Sequence, residues 1–413
     1  MVQTILSFIR LGEDGEAVEG TQGVIMLLSQ PSTLFLRRFF CRGVRNCSST
    51  SSSTRVTDSF SASPTSAKKN RLVFMGSPQV SSLVLDRLLD VSGTPDSDFE
   101  VAAVVTQPAS RRQRGKKTMQ SPVAIQALDK GFPSDLIFTP VRAGEEGFLS
   151  DLKALNPDLC VTAAYGNILP TKFLEIPSHG TVNIHPSLLP LYRGASPIQR
   201  ALQDGVKVTG VSLAYTVRAL DAGPVISHEE LEIDEYAKAP DLLTKLFRIG
   251  SDLLIRELPS IFDGSAKLKA KAQDHSKASL APKIRPEESW LCFDEDASVL
   301  HNKVRAFAGW PGTKTRIQMI SNNHPKVLEV KIISTKFRDR CSSDGDYDEI
   351  TFSGNALIFP CGRQTVLEVY EIQLPGKKAI GGRDFWNGMQ GKKLRKLAQD
   401  EEASLQTISN TLN

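Results

Sequence analysis

The sequence predicts an α/β protein: a doubly wound, mostly parallel sheet over residues 70–263, followed by a small β-barrel within residues 288–413. Three observations carry that expectation. Short apolar runs alternate with segments of helical period from Arg71 onward, the rhythm of βαβ units whose right-handed crossovers build a parallel sheet. Between Gly264 and Glu287 the composition changes to Lys, Ala and Ser, so residues 264–287 read as an exposed basic linker. Beyond it, several short strand-like runs are separated by polar or Gly-containing turns, the pattern of a small closed sheet.

Taken in order, Leu72 to Met75 is an apolar strand, Gly76-Ser77-Pro78 a turn, and Val80 to Leu89 carries apolar residues at helical spacing before a strand at Val101 to Thr106. A single glycine at that first turn is not a GxGxxG fingerprint, which demotes a nicotinamide enzyme. Helices follow near Pro122 to Lys130 and Glu146 to Leu155, with strands near Leu136 to Thr139 and Leu159 to Ala164. Val182 to His185 is the next strand. After a Pro-rich turn, Ser196 suits an N-cap, Pro197 the first helical position, and Gln199 lies at capping-box spacing. Val208 to Val217 and Val225 to Ile233 flank the turn Asp221-Ala222-Gly223-Pro224 as a hairpin, and a long helix from Pro240 to Phe262 closes the domain. In the barrel, strands are expected at Val327 to Ile333, Glu349 to Phe352, Ala356 to Phe359 and Thr365 to Gln373.

The formal charge is only +4, and what matters is that the basic residues cluster while the acids are spread. Six cysteines without a CxxC pair argue against a zinc module or a disulfide framework, and six scattered histidines give a metal site no support. No uncharged apolar run approaches the ~18 residues of a membrane span. From Met26 to Val56 the chain carries Arg37, Arg38, Arg42, Arg45 and Arg55 with no Asp or Glu, and Ser and Thr crowd the continuation. That is a transit-peptide composition. Residues 1–69 are therefore expected to be a disordered targeting segment leading to the mitochondrial matrix, with the Ser-rich part leaving a plastid stroma open. Glu13, Asp14, Glu16 and Glu19 do not fit a presequence, so Met26 is taken as the working start. A cytosolic disordered tail is the other reading.

Ligands of open α/β sheets bind beyond the carboxyl ends of the strands. Three segments end there: Ala164-Tyr165-Gly166, the pair Asn183 and His185, and Asp221. Strand alternation puts residues 183 and 185 on one face, although a structural, hydrogen-bonded histidine satisfies the same spacing. An Asn, a His and an Asp without a Ser or Cys nucleophile point to transfer at a carbonyl carbon by an external nucleophile. His185 would donate to the oxyanion, Asn183 would bond the same oxygen, and Asp221 would raise the His185 pKa and help take the proton of an attacking amine.

The run Asn183 to Pro190, with Tyr192 to Gln199 behind it, resembles the signature of the 10-formyltetrahydrofolate-dependent formyltransferases, and the longer form resembles the branch that acts on initiator Met-tRNA. The resemblance spans about residues 71 to 320, with echoes to about 396. It includes Met75-Gly76-Ser77-Pro78, Thr106-Gln107-Pro108, Arg114-Gly115-Lys116-Lys117, Leu220-Asp221-Ala222-Gly223, Ala281-Pro282-Lys283-Ile284 and Trp310-Pro311. It implies a formyltransferase-like catalytic domain, an OB-like barrel, and Asn183, His185 and Asp221 as the catalytic trio, with no metal. The donor 10-formyltetrahydrofolate would lie against Tyr165, Gly166, Ile168, Leu169, Ser187, Leu188, Leu189 and Pro190, where packing competes as an explanation for Tyr165, Leu188 and Leu189.

The same resemblance implies that the basic loop carrying Arg111, Arg112, Arg114, Lys116 and Lys117 grips the acceptor end of the tRNA, through salt-dependent phosphate contacts. Lys283 and a C-terminal cluster of Lys377, Lys378, Arg383, Lys392, Lys393, Arg395 and Lys396 would face the tRNA body. Phe307 and Trp310 either stack on a base or pack where barrel meets linker. The expected reaction is formyl transfer to the methionine α-amine of initiator Met-tRNA for organellar translation initiation, by a monomer. A formyltransferase of a small amine, or a hydrolase of the same folate, needs neither the basic loop nor the barrel.

Overall fold

The computed structural model describes residues 68–111, 118–320, 325–338 and 347–397. The expected targeting segment up to residue 67, and Arg112, Arg114, Lys116 and Lys117, lie outside the described residues.

The first βαβ unit is β1 (Asn70–Gly76), α1 (Gln79–Ser92) and β2 (Phe99–Val105). A two-stranded ribbon, β3 (Ser110–Arg111) with β4 (Thr118–Met119), frames the ends of the basic loop. Then come α2 (Pro122–Asp129), β5 (Ile137–Phe138), α3 (Glu146–Leu155), β6 (Leu159–Ala163), the short α4 (Thr171–Leu174), β7 (Thr181–His185), α5 (Pro197–Gln203), β8 (Val208–Tyr215), β9 (Val225–Glu232) and α6 (Ala239–Phe262). The strand order is β5-β2-β1-β6-β7-β8-β9, with β5, β2, β1, β6 and β7 parallel and β8 and β9 antiparallel. The chain winds outward from β1 to β5, then returns to β6, so β1 and β6 flank the topological switch.

Apolar alternation shows why this sheet is covered on both faces. Leu72 and Phe74 of β1 enter the core shared with α1 and α6, while Val73 and Met75 enter the core shared with α3. All four are fully buried. On the first face Gly250 lets α6 close onto β7, since a Cβ there would stand 2.5 Å from Ile184 Cγ2. That packing sets the position of the strand carrying Asn183 and His185.

Two local expectations do not hold. Ser196 occupies the N-cap of α5 but makes no side-chain cap bond, and its buried Oγ has no partner. The capping box with Gln199 gives way to tertiary docking, in which Ser196 N donates to Ala281 O at 3.1 Å. Nor is the stretch 264–287 an exposed linker. It forms α7 (Ser265–Lys269), then Lys271 and Val225 exchange two backbone hydrogen bonds of 2.8 Å, and Arg193 bonds Ser279 and Ala281. Lys267, Lys269, Lys271 and Lys277 are exposed, as composition implies, while Ala266, Gln273, Ala281 and Ile284 are buried beneath them. Average composition recorded the solvent face and hid the few docking positions.

The second domain contains α8 (Ala297–Ala306), β10 (Thr313–Ile320), β11 (Lys326–Arg338), β12 (Glu349–Ser353), β13 (Ala356–Cys361), β14 (Thr365–Gln373), β15 (Ala379–Gly381), α9 (Gly382–Gly388) and β16 (Lys393–Lys396). Strands β11-β10-β16-β12-β13-β14 close through a β14–β11 pairing into a six-stranded barrel, to which β15 is appended. This agrees with the OB-like expectation. β10 and β16 escaped the sequence reading because their inward residues are Thr313, Thr315 and Ile317 in one, and Leu394 and Lys396 in the other, which leaves little apolar alternation to detect. Phe307, at the end of α8, is fully buried in the core of the first domain, with Trp310 packed against it. Of the two readings for these aromatics, Phe307 takes the packing one.

Candidate active site

At the end of β7, Asn183 and His185 share a face. Asn183 Oδ1 accepts from Thr162 Oγ1 of β6 at 2.8 Å, which leaves the Nδ2 end free for a ligand. His185 Nε2 lies 3.0 Å from Tyr192 O. A backbone carbonyl can only accept, so the hydrogen sits on Nε2. The ring atom left for chemistry is Nδ1, which stands 3.9 Å from Asp221 Oδ2. The His185 side chain is 5% exposed and that of Asp221 17%, so their interaction is less screened than one in bulk water.

Asp221 is delivered by the turn between β8 and β9. It adopts a left-handed conformation, φ 45°, and its Oδ2 also accepts from Gly194 N at 2.8 Å. Two residues on, a Cβ at Gly223 would fall 1.7 Å from Tyr215 O, so glycine is required for the turn to lie against β8. Asn183, Leu189, Ala214, Tyr215, Thr216, Val217 and Asp221 line a narrow cleft of about 20 Å³. In its wall, Thr216 Oγ1 is buried without a hydrogen-bond partner. Leu220, next to Asp221 in the turn, is 64% exposed.

The residues expected to hold a folate separate into groups. Leu189 lines the cleft; its amide donates to Ser212 Oγ at 3.0 Å, and that hydroxyl donates to Ser187 O at 2.7 Å. A cis peptide joins Leu189 to Pro190. Leu188 packs against Gly210 of β8, and the Ser187 hydroxyl donates to Leu191 O at 2.6 Å. Tyr165 is a core aromatic, 4% exposed, in the cluster beneath α3, and burial pushes its hydroxyl up to about 12. Leu169 packs on the same cluster, Gly166 has φ 87°, and Ile168 is exposed. This second group stands past the end of β6 and does not line the Asn183 cleft.

The expected tRNA residues are dispersed. Arg111 ends β3, Lys283 is half-buried, and Lys377 and Lys378 are exposed between β14 and β15. The rest of the C-terminal cluster is not one open patch. Lys393 pairs with Glu349 at 3.8 Å and Arg395 with Asp348 at 3.3 Å. Lys396 is buried, its Nζ 2.6 Å from Pro360 O and 3.7 Å from the centre of the Tyr347 ring. Two buried residues given no role by the sequence reading, Arg193 and Gln273, stand behind the Asp221 turn. Arg193 lay inside the motif, but nothing in the sequence singled out Gln273.

Comparison with known proteins follows this division of the chain. Residues 70–258 match the formyl transferase family model, and residues 283–390 match the model of the formyl transferase C-terminal domain. A methionyl-tRNA formyltransferase of Bacillus licheniformis is 35% identical over 80% of this chain and 99% of its own. The chain belongs to the methionyl-tRNA formyltransferase family. A further member of the family, from Nitrosococcus oceani, is 36% identical over 76% of this chain and 92% of its own. Among solved structures, a sugar 3N-formyltransferase determined with dTDP and 5-N-formyl-tetrahydrofolate superposes with a TM-score of 0.52 at 17% identity, covering 76% of this chain and 100% of that one. An N-formyltransferase from Helicobacter canadensis gives 0.52 at 16% identity over 73% and 98%. At such identities these two speak for the fold that the family shares.

Proposed function

We propose that this enzyme transfers the formyl group of 10-formyltetrahydrofolate to the methionine α-amine of initiator Met-tRNA, as a monomer inside an organelle: the mitochondrial matrix, with the plastid stroma as the alternative. The observation that carries the chemistry is the convergence of Asn183, His185 Nδ1 and Asp221 at one strand edge, with His185 and Asp221 3.9 Å apart.

The residues present suit a folate donor. Leu189, Tyr215 and Val217 offer walls for a flat heteroaromatic ring, and Thr216 Oγ1 is an unused polar atom beside them. The cleft is edged by the exposed segment 217–220.

Each side chain then has a task. Asn183 presents Nδ2 to the formyl oxygen as negative charge develops there. His185 Nδ1 receives a proton from the amine as the new C–N bond forms. Asp221 stabilises the resulting imidazolium, which in turn faces the oxyanion. As the bond from the formyl carbon to N10 breaks, that proton passes to N10 of the departing tetrahydrofolate. Only an uncharged amine can attack, so the rate falls at acidic pH.

The substrate assignment is supported by the likeness to methionyl-tRNA formyltransferases over 92–99% of their length and by the basic sequence 111–117. Organellar residence is supported by the Arg-rich, acid-poor stretch from Met26 to Val56. The test offers purified protein 10-formyltetrahydrofolate with either Met-tRNA or an amino sugar nucleotide. Formyl-methionine on the tRNA is expected, and formylation of the sugar alone would overturn the assignment. Residues 26–70 fused to a fluorescent reporter should carry it into mitochondria. A reporter that stays in the cytosol would refute organellar import.

A further inference from the structure

Gln273 lies among exposed lysines, yet is itself 8% exposed. Its amide is fully engaged: Nε2 donates to Asp221 O at 2.8 Å and to Gly223 O at 2.7 Å, and Oε1 accepts from Arg193 Nε at 3.0 Å and Nη2 at 2.5 Å. Carbonyls only accept and a guanidinium only donates, so this amide orientation alone satisfies all four. Arg193 is also buried, and its Nη1 lies 3.2 Å from His275 Nδ1. Its guanidinium is met by an amide oxygen and a ring nitrogen rather than by a carboxylate. Burying a cation on those terms is unfavourable.

The neighbours of Arg193 show what the arrangement achieves. Tyr192 O holds His185 Nε2, and Gly194 N holds Asp221 Oδ2. The link from Gln273 to Arg193 therefore joins the two backbone segments that orient His185 and Asp221. Asp221 needs such support, because its left-handed backbone is disfavoured for a residue with a Cβ.

We propose that Gln273 and Arg193 are positioning residues for the reaction: together they hold the turn 221–223 and the segment 192–194 in register, so that the Asp221 carboxylate faces the imidazole. A part of the active-site geometry is thereby lodged in the segment leading to the barrel. This rests on the formyl-transfer reading, in which that pair moves the proton.

Gln273→Met removes all four hydrogen bonds at nearly constant volume. Gln273→Glu keeps an oxygen for Arg193 but sets its second oxygen against two carbonyls. Wild-type transfer to Met-tRNA is measured first, and its absence would fault the functional reading rather than the network. In folded variants, judged by melting temperature, the saturating single-turnover rate should fall about 10- to 100-fold while KM for donor and Met-tRNA stays within about threefold. Within an Asp221→Asn background, Gln273→Met should cost less than about twofold more. The His185 ring resonances, read by NMR without substrate, should change in Gln273→Met as they do in Asp221→Asn. If Gln273→Met does not fold, Arg193→Lys serves in its place, with a loss of about tenfold in rate expected from the broken fork geometry. Wild-type rates in these variants, unchanged His185 resonances, or a full additive loss in the Asp221→Asn background would overturn the proposal and leave the network as a structural tether.

Discussion

The end of β7 and the C-terminal barrel treat charge in opposite ways. Around β7, polar side chains from three parts of the chain converge, and His185 and Asp221 are largely withdrawn from water. On the barrel the cations are spread, and many already face a carboxylate: Arg338 with Glu368 at 2.6 Å, Lys314 with Glu329 at 3.6 Å, Arg395 with Asp348 at 3.3 Å. Acyl transfer needs several groups at one point, whereas holding a phosphate backbone needs only exposed charge along a path. One substitution should therefore abolish function in the first region and merely erode it in the second.

The largest effect is expected at the convergence. His185→Ala or Asp221→Ala should slow single-turnover transfer by about 100- to 10,000-fold, and a loss under tenfold would remove the contrast. Next comes the turn that carries Asp221. Gly223→Ala places a methyl 1.7 Å from Tyr215 O, so the unfolding free energy measured by denaturant titration should fall by about 1–3 kcal/mol, with activity lost alongside.

A smaller effect arises where the domains meet. His301 Nε2 donates to Glu235 O of the first domain at 3.2 Å, and its Nδ1 accepts from Thr335 Oγ1 of the barrel at 2.9 Å. Burial lowers its pKa from 6.5, reinforced by the nearby Arg305. A folded-state value below the unfolded one means the unfolded chain takes up the proton first. The contribution is present above pH 6.5 and is lost as pH falls toward the folded value. Stability should drop as pH falls below 6.5, and His301→Gln should flatten that slope. Smallest of all, Lys377→Ala or Lys378→Ala should weaken Met-tRNA binding less than about threefold and reduce the salt slope by about one, leaving the saturating rate unchanged.

Much of the first domain was legible because its strands are buried on both faces, so runs such as Leu72 to Met75 announce themselves. Asn183 and His185 were legible for a related reason: the carboxyl ends of parallel strands are where an open sheet places its ligands, whereas Asp221 follows β8, which runs antiparallel to β7, and was marked only by the family resemblance of Leu220-Asp221-Ala222-Gly223. What stayed hidden depended on tertiary docking. Gln273 is buried by its fit against the Asp221 turn, in a stretch whose other residues are solvated. Tyr165 sits beside the motif-bearing segments yet turns into the core. β10 fills its inward face with Thr313 and Thr315, each satisfied in place, as when Thr313 Oγ1 donates to Ile332 O at 2.9 Å. These positions carry no apolar stripe from which a period could be read.

The most direct measurement determines single-turnover rate and Met-tRNA affinity together, in Asp221→Asn and in a variant with Arg111, Arg112, Arg114, Lys377 and Lys378 changed to Ala. Asp221→Asn should bind Met-tRNA within about twofold of wild type and transfer at least about 100-fold more slowly. The basic-residue variant should bind weakly, with a flattened salt dependence, and transfer at the wild-type rate once saturated. Undiminished transfer by Asp221→Asn, or a basic-residue variant that loses rate instead of affinity, would contradict the division of labour between cleft and cationic surface.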